Sequence, residues 1–187
     1  MTTPGPRSPS GFRRLGERSV HRGHAIDVVV ARFETPDGEV VERDVVRHPG
    51  AVSVVPVDGD EVVLVRQYRA PAERELLEIP AGKRDVADEP PEVAAVRELE
   101  EEVGLTAASL VPLATFYNSV GFSDEYSYVF LATDLTPVPA APQGPEEHHM
   151  TVERWGLDDI PAAIADGRIE DAKTVIGLLA ALRHLGR

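Results

Sequence analysis

The stretch Gly82–Leu105, with the sequence GKRDVADEPPEVAAVRELEEEVGL, carries the strongest structural signal in the chain. Its two consecutive prolines, Pro90 and Pro91, fit only the first turn of a helix, because proline lacks the N–H that later turns require. Gly104 suits the left-handed conformation that commonly ends a helix. The pattern therefore predicts a helix that begins at the two prolines and ends at about Val103.

Three carboxylates share one face of this predicted helix. Glu98, Glu101 and Glu102 stand at positions i, i+3 and i+4 and span an arc of about 100°. Carboxylates this close repel each other, whereas a hard divalent cation between them would turn the repulsion into binding. Glu100 points elsewhere and is left out of the set. The alternative is an ordinary solvated acidic face.

The other residues of the helix favour the cation site. Val96, Leu99 and Val103 are expected on the side facing away from the three glutamates, where they form an apolar back. Arg97 stands four residues before Glu101 and can pair with it. A carboxylate-held cation is suited to binding phosphates and activating water, so the stretch predicts phosphate chemistry.

Composition narrows the class of protein. The chain has 187 residues, of which 42% are hydrophobic, and its net charge is −13. That charge argues against nonspecific nucleic-acid binding, which needs a basic surface. The sequence contains no cysteine, so thiolate metal sites are excluded, and no apolar run approaches the roughly 20 residues that span a bilayer. We expect a cytoplasmic protein that binds neither nucleic acid nor membrane.

The order of predicted elements is strands, helix, strands, helices, which indicates an α+β fold rather than a doubly wound one. Residues 1–20 are rich in Pro, Gly, Ser and Arg and predict a disordered tail. Residues 21–48 predict an N-terminal β-hairpin region. The predicted strands are Ala25–Phe33, Val40–Arg47, Ala51–Val57, Val62–Tyr68, Glu75–Ile79, Ser109–Tyr117, Tyr126–Ala132 and Met150–Leu157. The later predicted helices are Ile160–Asp166 and one capped by Asp171 that runs to about Leu185.

Gly82, Glu89 and the run Arg97–Leu105 (RELEEEVGL) resemble the Nudix box, G-x5-E-x7-R-E-U-x-E-E-x-G-U, where U is aliphatic. The second half of the box matches fully. Six residues rather than five separate Gly82 from Glu89, so Asp88 stands at the usual glutamate distance. The loop is therefore either one residue longer or uses Asp88.

Further segments resemble the ADP-ribose pyrophosphatase branch of this family. They are Val45–Val54, Val65–Arg69, Leu77–Lys83, Gly121–Glu125 and Glu146–Thr151. The resemblance implies a Nudix-type α/β/α sandwich with a mixed sheet over residues 49–187. It also implies a homodimer whose residues 21–48 mediate dimerisation, with possible exchange of strands. The implied reaction is cleavage of ADP-ribose to AMP and ribose 5-phosphate. Val120, however, occupies the place before Gly121 where that branch commonly has a proline.

The resemblance also implies roles for individual residues. Mg²⁺ or Mn²⁺ would be held by Glu98, Glu102, Glu101 and the carbonyl of Ala81. The base would be Glu147, with Glu146 as the neighbour it could be confused with, and His148 and His149 as weaker alternatives. Substrate contacts would come from Arg43, Arg69, Glu78 and Glu125. Gly82, Glu89, Arg97 and Gly104 would be motif residues.

Two other functions stay open. The chain could hydrolyse a different nucleoside diphosphate sugar or a dinucleotide polyphosphate, since Val120 departs from the ADP-ribose pattern. It could also be a non-catalytic sensor with a Nudix fold, although the completeness of the box disfavours that.

Overall fold

The computed structural model describes residues 5–141 and 147–187. Strands in these ranges are β1 (Arg13–Arg22), β2 (Asp27–Glu34), β3 (Val40–Arg47), β4 (Ala51–Asp58), β5 (Glu61–Arg69), β6 (Arg74–Glu78), β7 (Ala81–Lys83), β8 (Leu105–Tyr117), β9 (Tyr126–Pro137) and β10 (Thr151–Gly156). The α-helices are α1 (Pro91–Val103), α2 (Ile160–Ala165) and α3 (Ala172–Leu185), and a short 3-10 turn, Glu147–His149, precedes β10. None of the helices in these ranges is long and apolar enough to cross a membrane.

The chain divides into two compact units, and the smaller one contains residues 5–50 with Tyr117–Tyr126. Its sheet has the antiparallel order β1-β2-β3. The segment Tyr117–Tyr126 is tied to the end of β3, because the Asp124 N–H donates to the Val46 carbonyl at 3.1 Å. The Asp124 carboxylate also accepts a hydrogen bond from Arg47 Nη1 at 2.7 Å.

The first strand differs from the prediction for residues 1–20. Residues 13–20, expected in a disordered tail, lie in β1, which pairs with β2 from Arg13 to Arg22. Arg7 and Arg13 both form ion pairs with Glu34 on β2. The sequence concealed this strand because most of its side chains are exposed and half of them are charged, so backbone pairing rather than an apolar pattern holds it.

The larger unit contains residues 51–116 and the described part of 127–187, and it is built on a mixed sheet. The strand order is β10-β5-β4-β9-β8, with β4 parallel to β9 and antiparallel to β5. Strands β4 and β5 pair only next to their connecting turn, at Val57–Val62 and Asp58–Glu61. Farther along, β5 pairs with β6 and β4 pairs with β7. The two central strands thus separate beyond their turn, and there β6 and β7 pair with them instead.

Side chains alternate across β4, so this strand serves two hydrophobic cores. Val52 and Val54 belong to the core under α1, and Val55 and Val57 belong to the core under α2 and α3. The helical partners in the first core are Ala94, Ala95 and Leu99, and those in the second include Ile160, Ala163, Leu178, Ala181 and Leu182. A mixed sheet with helices on both faces confirms the predicted α+β sandwich.

Helix α3 begins as the sequence predicts. Asp171 is the N-cap, and its carboxylate accepts hydrogen bonds from the Thr174 N–H at 2.9 Å and the Thr174 hydroxyl at 2.8 Å. The Thr174 hydroxyl oxygen in turn accepts from the Ile79 N–H at 3.0 Å. The cap of α3 therefore fixes the backbone that leads from β6 into β7.

Replacing Thr174 with valine should destabilise the larger unit. The change keeps the shape but removes the hydroxyl, and it leaves the buried Ile79 N–H without its acceptor, at a cost of about 1–3 kcal/mol. Urea unfolding measures the difference. Thr174→Ser keeps the hydroxyl and is the matched control, so a valine variant as stable as the serine variant would contradict the role of this hydrogen bond.

Candidate active site

The site starts where β7 meets the middle of α1. A Cβ placed on Gly82 would stand 1.9 Å from the carboxyl carbon of Glu98 and 2.1 Å from each of its oxygens. Only glycine lets this carboxylate lie directly against the strand backbone. Gly82 therefore forms a cradle for Glu98, which explains in steric terms why the motif begins with glycine.

The buried face of α1 differs from the apolar back that the sequence predicts. Glu98 and Glu102 are only 8% and 9% exposed and lie on the same buried arc as Leu99. Val96 and Val103 are only half-buried. The helix thus turns two of its carboxylates toward the sheet, because Ala94 and Ala95 allow a close approach and Gly82 makes room for Glu98.

Arg97 connects the acidic groups of the site. Its Nε and Nη2 donate to the two oxygens of Glu89 at 3.2 and 3.1 Å. Its Nη1 donates to Glu98 at 2.8 Å and to Glu101 at 3.0 Å, which includes the predicted i, i+4 pair. The hydrogen bonds from Arg97 hold the pKa of Glu89 below its ordinary value, and Glu89 in turn raises the pKa of Arg97.

The structure decides between the two possibilities for the loop after Gly82. Glu89, and not Asp88, is the residue that pairs with Arg97. Asp88 has φ of +60°, a left-handed conformation that asparagine and aspartate tolerate better than most residues. The loop is therefore one residue longer than the general box, and the left-handed Asp88 accommodates the extra residue.

The third carboxylate of the predicted set, Glu102, is turned toward β7. The Ala81 N–H donates to Glu102 Oε2 at 3.0 Å. Ala81, whose carbonyl is a predicted metal ligand, therefore also holds the side chain of Glu102, another predicted ligand. In residues 5–141 and 147–187, no three acidic or histidine side chains are already grouped around one point as metal ligands. Glu98 and Glu101 turn to Arg97 and Glu102 turns to Ala81, which accounts for their separate directions.

These residues fit a hard divalent cation. The candidate donors are the oxygens of Glu98, Glu101 and Glu102, all on partly or fully buried side chains along one side of α1. Carboxylate oxygens are the ligands that Mg²⁺ and Mn²⁺ prefer. The close contact with Gly82 restricts the Glu98 carboxylate to one position. Arg97 supplies the positive charge that holds Glu98 and Glu101, and the Ala81 N–H holds Glu102.

Arg69 and Glu78, both predicted to bind substrate, bind each other. Nε and Nη2 of Arg69 donate to the two oxygens of Glu78 at 2.6 Å each, and Glu78 is 1% exposed. These hydrogen bonds raise the pKa of Arg69, and the charges of Asp171 and Glu102 act in the same direction. Glu78 therefore orients Arg69, and the charge of Glu102 also acts on the pKa of this guanidinium.

The predicted base lies partly outside the description. Glu146 lies outside the described residues. The backbone of Glu147 begins the 3-10 turn Glu147–His149, which contacts β5, the strand that ends in Arg69. The alternatives His148 and His149 are exposed.

The remaining predicted residues, Arg43 and Glu125, lie in the smaller unit. Arg43 is exposed on β3 and donates to the Glu42 carbonyl at 2.7 Å. The Glu125 N–H donates to the Ser123 hydroxyl at 3.1 Å. Within the larger unit the box residues are connected through Arg97 and Ala81, and Arg69 and Glu78 form a separate pair, while Arg43 and Glu125 belong to the smaller unit.

Sequence reasoning missed two contributors to the site. Arg84 donates from Nη2 to the Glu89 carbonyl at 3.1 Å, and no motif position marks it. Asp171 was recognised only as a helix cap, yet its charge also acts on Arg69. Both act across long sequence separations or through backbone groups, which side-chain patterns do not report.

Replacing Glu89 with glutamine should reduce stability in a way that depends on pH. Arg97 lowers the pKa of Glu89, so the ionised pair stabilises the fold above the unfolded-state pKa of about 4.3 and is lost as the pH falls through the lower folded-state pKa. The difference in unfolding free energy between the native chain and Glu89→Gln should therefore be largest near neutral pH and shrink below about pH 4. Urea unfolding across this range measures it.

A second carboxylate in the same loop serves as the control. Asp85 is exposed and has no ion pair within the described residues, so Asp85→Asn should leave the pH profile unchanged. A constant difference for Glu89→Gln between pH 7 and pH 3 would contradict the ion pair.

Comparisons with known proteins agree with this geometry. Residues 47–176 match the model of the NUDIX domain. The chain is 38% identical over 167 residues to an ADP-ribose pyrophosphatase of Bacillus subtilis, covering 89% of this chain and 90% of that protein. It is 36% identical over 178 residues to a methanol dehydrogenase activator of Bacillus methanolicus, covering 92% and 96%. A crystal structure of an ADP compounds hydrolase superposes with a TM-score of 0.80 at 27% identity, covering 97% of this chain and all of that one. The chain belongs to the Nudix family and is a hydrolase related to the ADP-ribose pyrophosphatases.

Proposed function

We propose that this hydrolase is a divalent-metal-dependent pyrophosphohydrolase that cleaves ADP-ribose to AMP and ribose 5-phosphate. The observation that carries the proposal is the pair of buried carboxylates, Glu98 and Glu102, turned toward β7 with Gly82 shaped to receive one of them. Two buried carboxylates of like charge repel each other, and a divalent cation bound between them would offset that repulsion. The similarity to an ADP-ribose pyrophosphatase and to an ADP compounds hydrolase supports the substrate class.

The reaction adds one water across the P–O–P bond. The water oxygen joins one phosphorus, the bridging oxygen leaves with the other phosphate, and a base takes the released proton. Bound Mg²⁺ or Mn²⁺ would offset the charge of the diphosphate and lower the pKa of coordinated water. Glu98, Glu101, Glu102 and the Ala81 carbonyl are the proposed ligands.

Arg69 is the proposed phosphate-binding cation. Glu78 holds two of its nitrogens, and within the described residues Nη1 makes no hydrogen bond to protein. A guanidinium oriented in this way can contact a phosphate oxygen without first losing side-chain freedom. The role of Glu78 in this proposal is to orient Arg69, in place of the direct substrate contact expected from the sequence.

Glu147 is the proposed base, and Glu146 is the alternative. The support is the position of the turn at Glu147–His149 against β5, which leads to Arg69. A carboxylate in this turn could take the proton from the attacking water.

Recognition of the adenosine and sugar is assigned to the smaller unit. Arg43 is the proposed contact to the phosphates or base, supplied from the second subunit of a homodimer, and Glu125 is a proposed contact to the ribose or the metal. We also propose Mg²⁺ or Mn²⁺ as the cofactor and the cytoplasm as the compartment. These assignments rest on the family resemblance.

A second candidate is hydrolysis of another nucleoside diphosphate compound. Val120 is 77% exposed, so its side chain is available to a ligand rather than required by the core. It stands where the ADP-ribose branch commonly has proline, which favours a different sugar or a dinucleotide polyphosphate. A non-catalytic sensor is disfavoured, because the box retains Glu98, Glu101 and Glu102 together.

A panel of nucleoside diphosphate sugars tests both candidates. With Mg²⁺, the native chain should release AMP from ADP-ribose faster than it releases nucleotide from GDP-mannose or a diadenosine polyphosphate, as measured by chromatography. Glu98→Gln and Glu102→Gln should each lower kcat/KM by about a hundredfold or more, because each loses a proposed metal ligand.

Glu100→Gln is the matched control for these two variants. Glu100 lies on the same helix outside the proposed ligand set, so its variant should retain near-native activity. If Glu98→Gln and Glu102→Gln keep near-native turnover of the substrates, the metal assignment is refuted. If the native chain prefers another substrate, the assignment of ADP-ribose is refuted, but the metal assignment is not.

Replacing Glu147 with glutamine should lower kcat by about 10²- to 10⁴-fold, the usual range for a general base, while Mn²⁺ affinity stays unchanged. Rates at saturating substrate and Mn²⁺ titration give the two quantities. Glu146→Gln is the comparison variant. If it shows the large loss and Glu147→Gln does not, the base assignment is one residue off.

A further inference from the structure

We propose that Arg84 is a positioning residue, which uses the ring of Tyr128 as a support to fix the backbone of Glu89 and, through Glu89 and Arg97, the proposed metal ligands. The inference rests on the proposed metal-dependent function and adds to it a residue outside the box. Arg84, Tyr128, Glu89, Arg97 and the proposed metal ligands all lie in the larger unit.

The first step is the contact between Arg84 and Tyr128. The guanidinium carbon of Arg84 lies 5.1 Å from the centre of the Tyr128 ring, within the range of a cation–π interaction. Tyr128 is on β9 and pairs with Val52 on β4, which also pairs with Gly82 on β7. Tyr128 packs against the core under α1. The ring therefore belongs to the sheet and offers Arg84 a rigid support in the same row as the Gly82 cradle.

The second step connects Arg84 to Glu89. Nη2 of Arg84 donates to the Glu89 carbonyl at 3.1 Å, and the Glu89 N–H donates to the Val86 carbonyl at 3.3 Å. The preceding residue, Asp88, has φ of +60°. A loop with one extra residue and a left-handed non-glycine position needs outside restraint to keep one conformation. Arg84 supplies that restraint at the residue immediately after Asp88.

The third step carries this restraint to the helix. The Glu89 carboxylate holds Nε and Nη2 of Arg97, and Nη1 of the same guanidinium holds Glu98 and Glu101. Because a guanidinium is planar, fixing two of its nitrogens fixes the direction of the third. A shift of Glu89 would therefore change where Glu98 and Glu101 point.

The chemistry of Arg84 favours arginine over lysine at this place. A guanidinium presents its flat face to a ring while an edge nitrogen donates to a carbonyl, whereas an ammonium is a compact point charge that lacks this planar fork. Nε of Arg84 is buried and has no hydrogen-bond partner within the described residues. A buried donor without a partner destabilises the fold, so the other contacts of the Arg84 side chain must account for its burial.

A Mn²⁺ binding assay on the whole chain tests the inference without measuring activity. Binding is monitored as the loss of the electron paramagnetic resonance signal of the free ion. Arg84→Met keeps an unbranched side chain that can pack on the ring but removes the cation and the donor. We expect it to weaken Mn²⁺ binding about tenfold, the lower end of the effect of partners that orient metal ligands. Tyr128→Leu should give a similar loss, and the double variant should lose no more than either alone, because both belong to one path.

Three controls make the result specific. Tyr128→Phe keeps the aromatic face and should bind Mn²⁺ nearly as the native chain does. Arg84→Lys keeps the charge and should remain weakened. Lys83→Ala removes an exposed positive charge next to Arg84 and should change nothing. Urea midpoints are measured in parallel, because a purely structural role would lower the midpoint and leave Mn²⁺ affinity of the folded protein unchanged.

The outcomes separate the two levels of the proposal. A native chain that fails to bind Mn²⁺ refutes the metal-dependent function and this inference with it. A native chain that binds Mn²⁺, with Arg84→Met binding equally well, refutes only the inference. Full recovery of affinity in Arg84→Lys also refutes it, because charge alone would then suffice.

Discussion

The constraint on which the site depends is the crowding of carboxylates around one arginine. Glu98, Glu101 and Glu89 all accept hydrogen bonds from Arg97, and without that cation their mutual repulsion would oppose both the helix and the loop. Because the guanidinium is planar and always charged, it sets direction as well as charge. The same hydrogen bonds that stabilise the helix and the loop therefore also set the direction of Glu98 and Glu101, two of the proposed metal ligands.

The sheet provides the space for this arrangement. Strands β4 and β5 pair only beside their turn, and β6 and β7 take over the pairing where they separate. Gly82 thus lies against Glu98 in the middle of α1, and Arg69 stands at the end of β5. The N-cap of α3 holds the connection between them through Thr174 and Ile79. The pairing of β6 and β7 with the central strands, together with the hydrogen bond from Ile79 to Thr174, thus positions side chains that come from distant parts of the sequence.

Local patterns explain which predictions succeeded. Segments rich in β-forming residues and bounded by turn signals identify eight strands, prolines and Gly104 bound α1, and Asp171 caps α3, because each signal depends on neighbouring residues only. The prediction failed for β1, whose exposed and charged side chains resemble a tail, and for the buried face of α1, where Glu98 and Glu102 replace apolar residues. In both cases a partner far along the chain, β2 or β7, decides the outcome.

The sequence by itself determined the α+β fold, the family and the set of acidic residues on α1, since fixed spacing on a helix fixes which side chains share a face. Only the tertiary structure decided that Glu89 rather than Asp88 pairs with Arg97, that Glu78 binds Arg69, and that Arg84 reaches the Glu89 carbonyl from the ring of Tyr128. Those contacts depend on how a loop closes and on which strand ends meet. Spacing along the chain cannot specify them, because backbone conformation at single residues such as Asp88 changes every distance that follows.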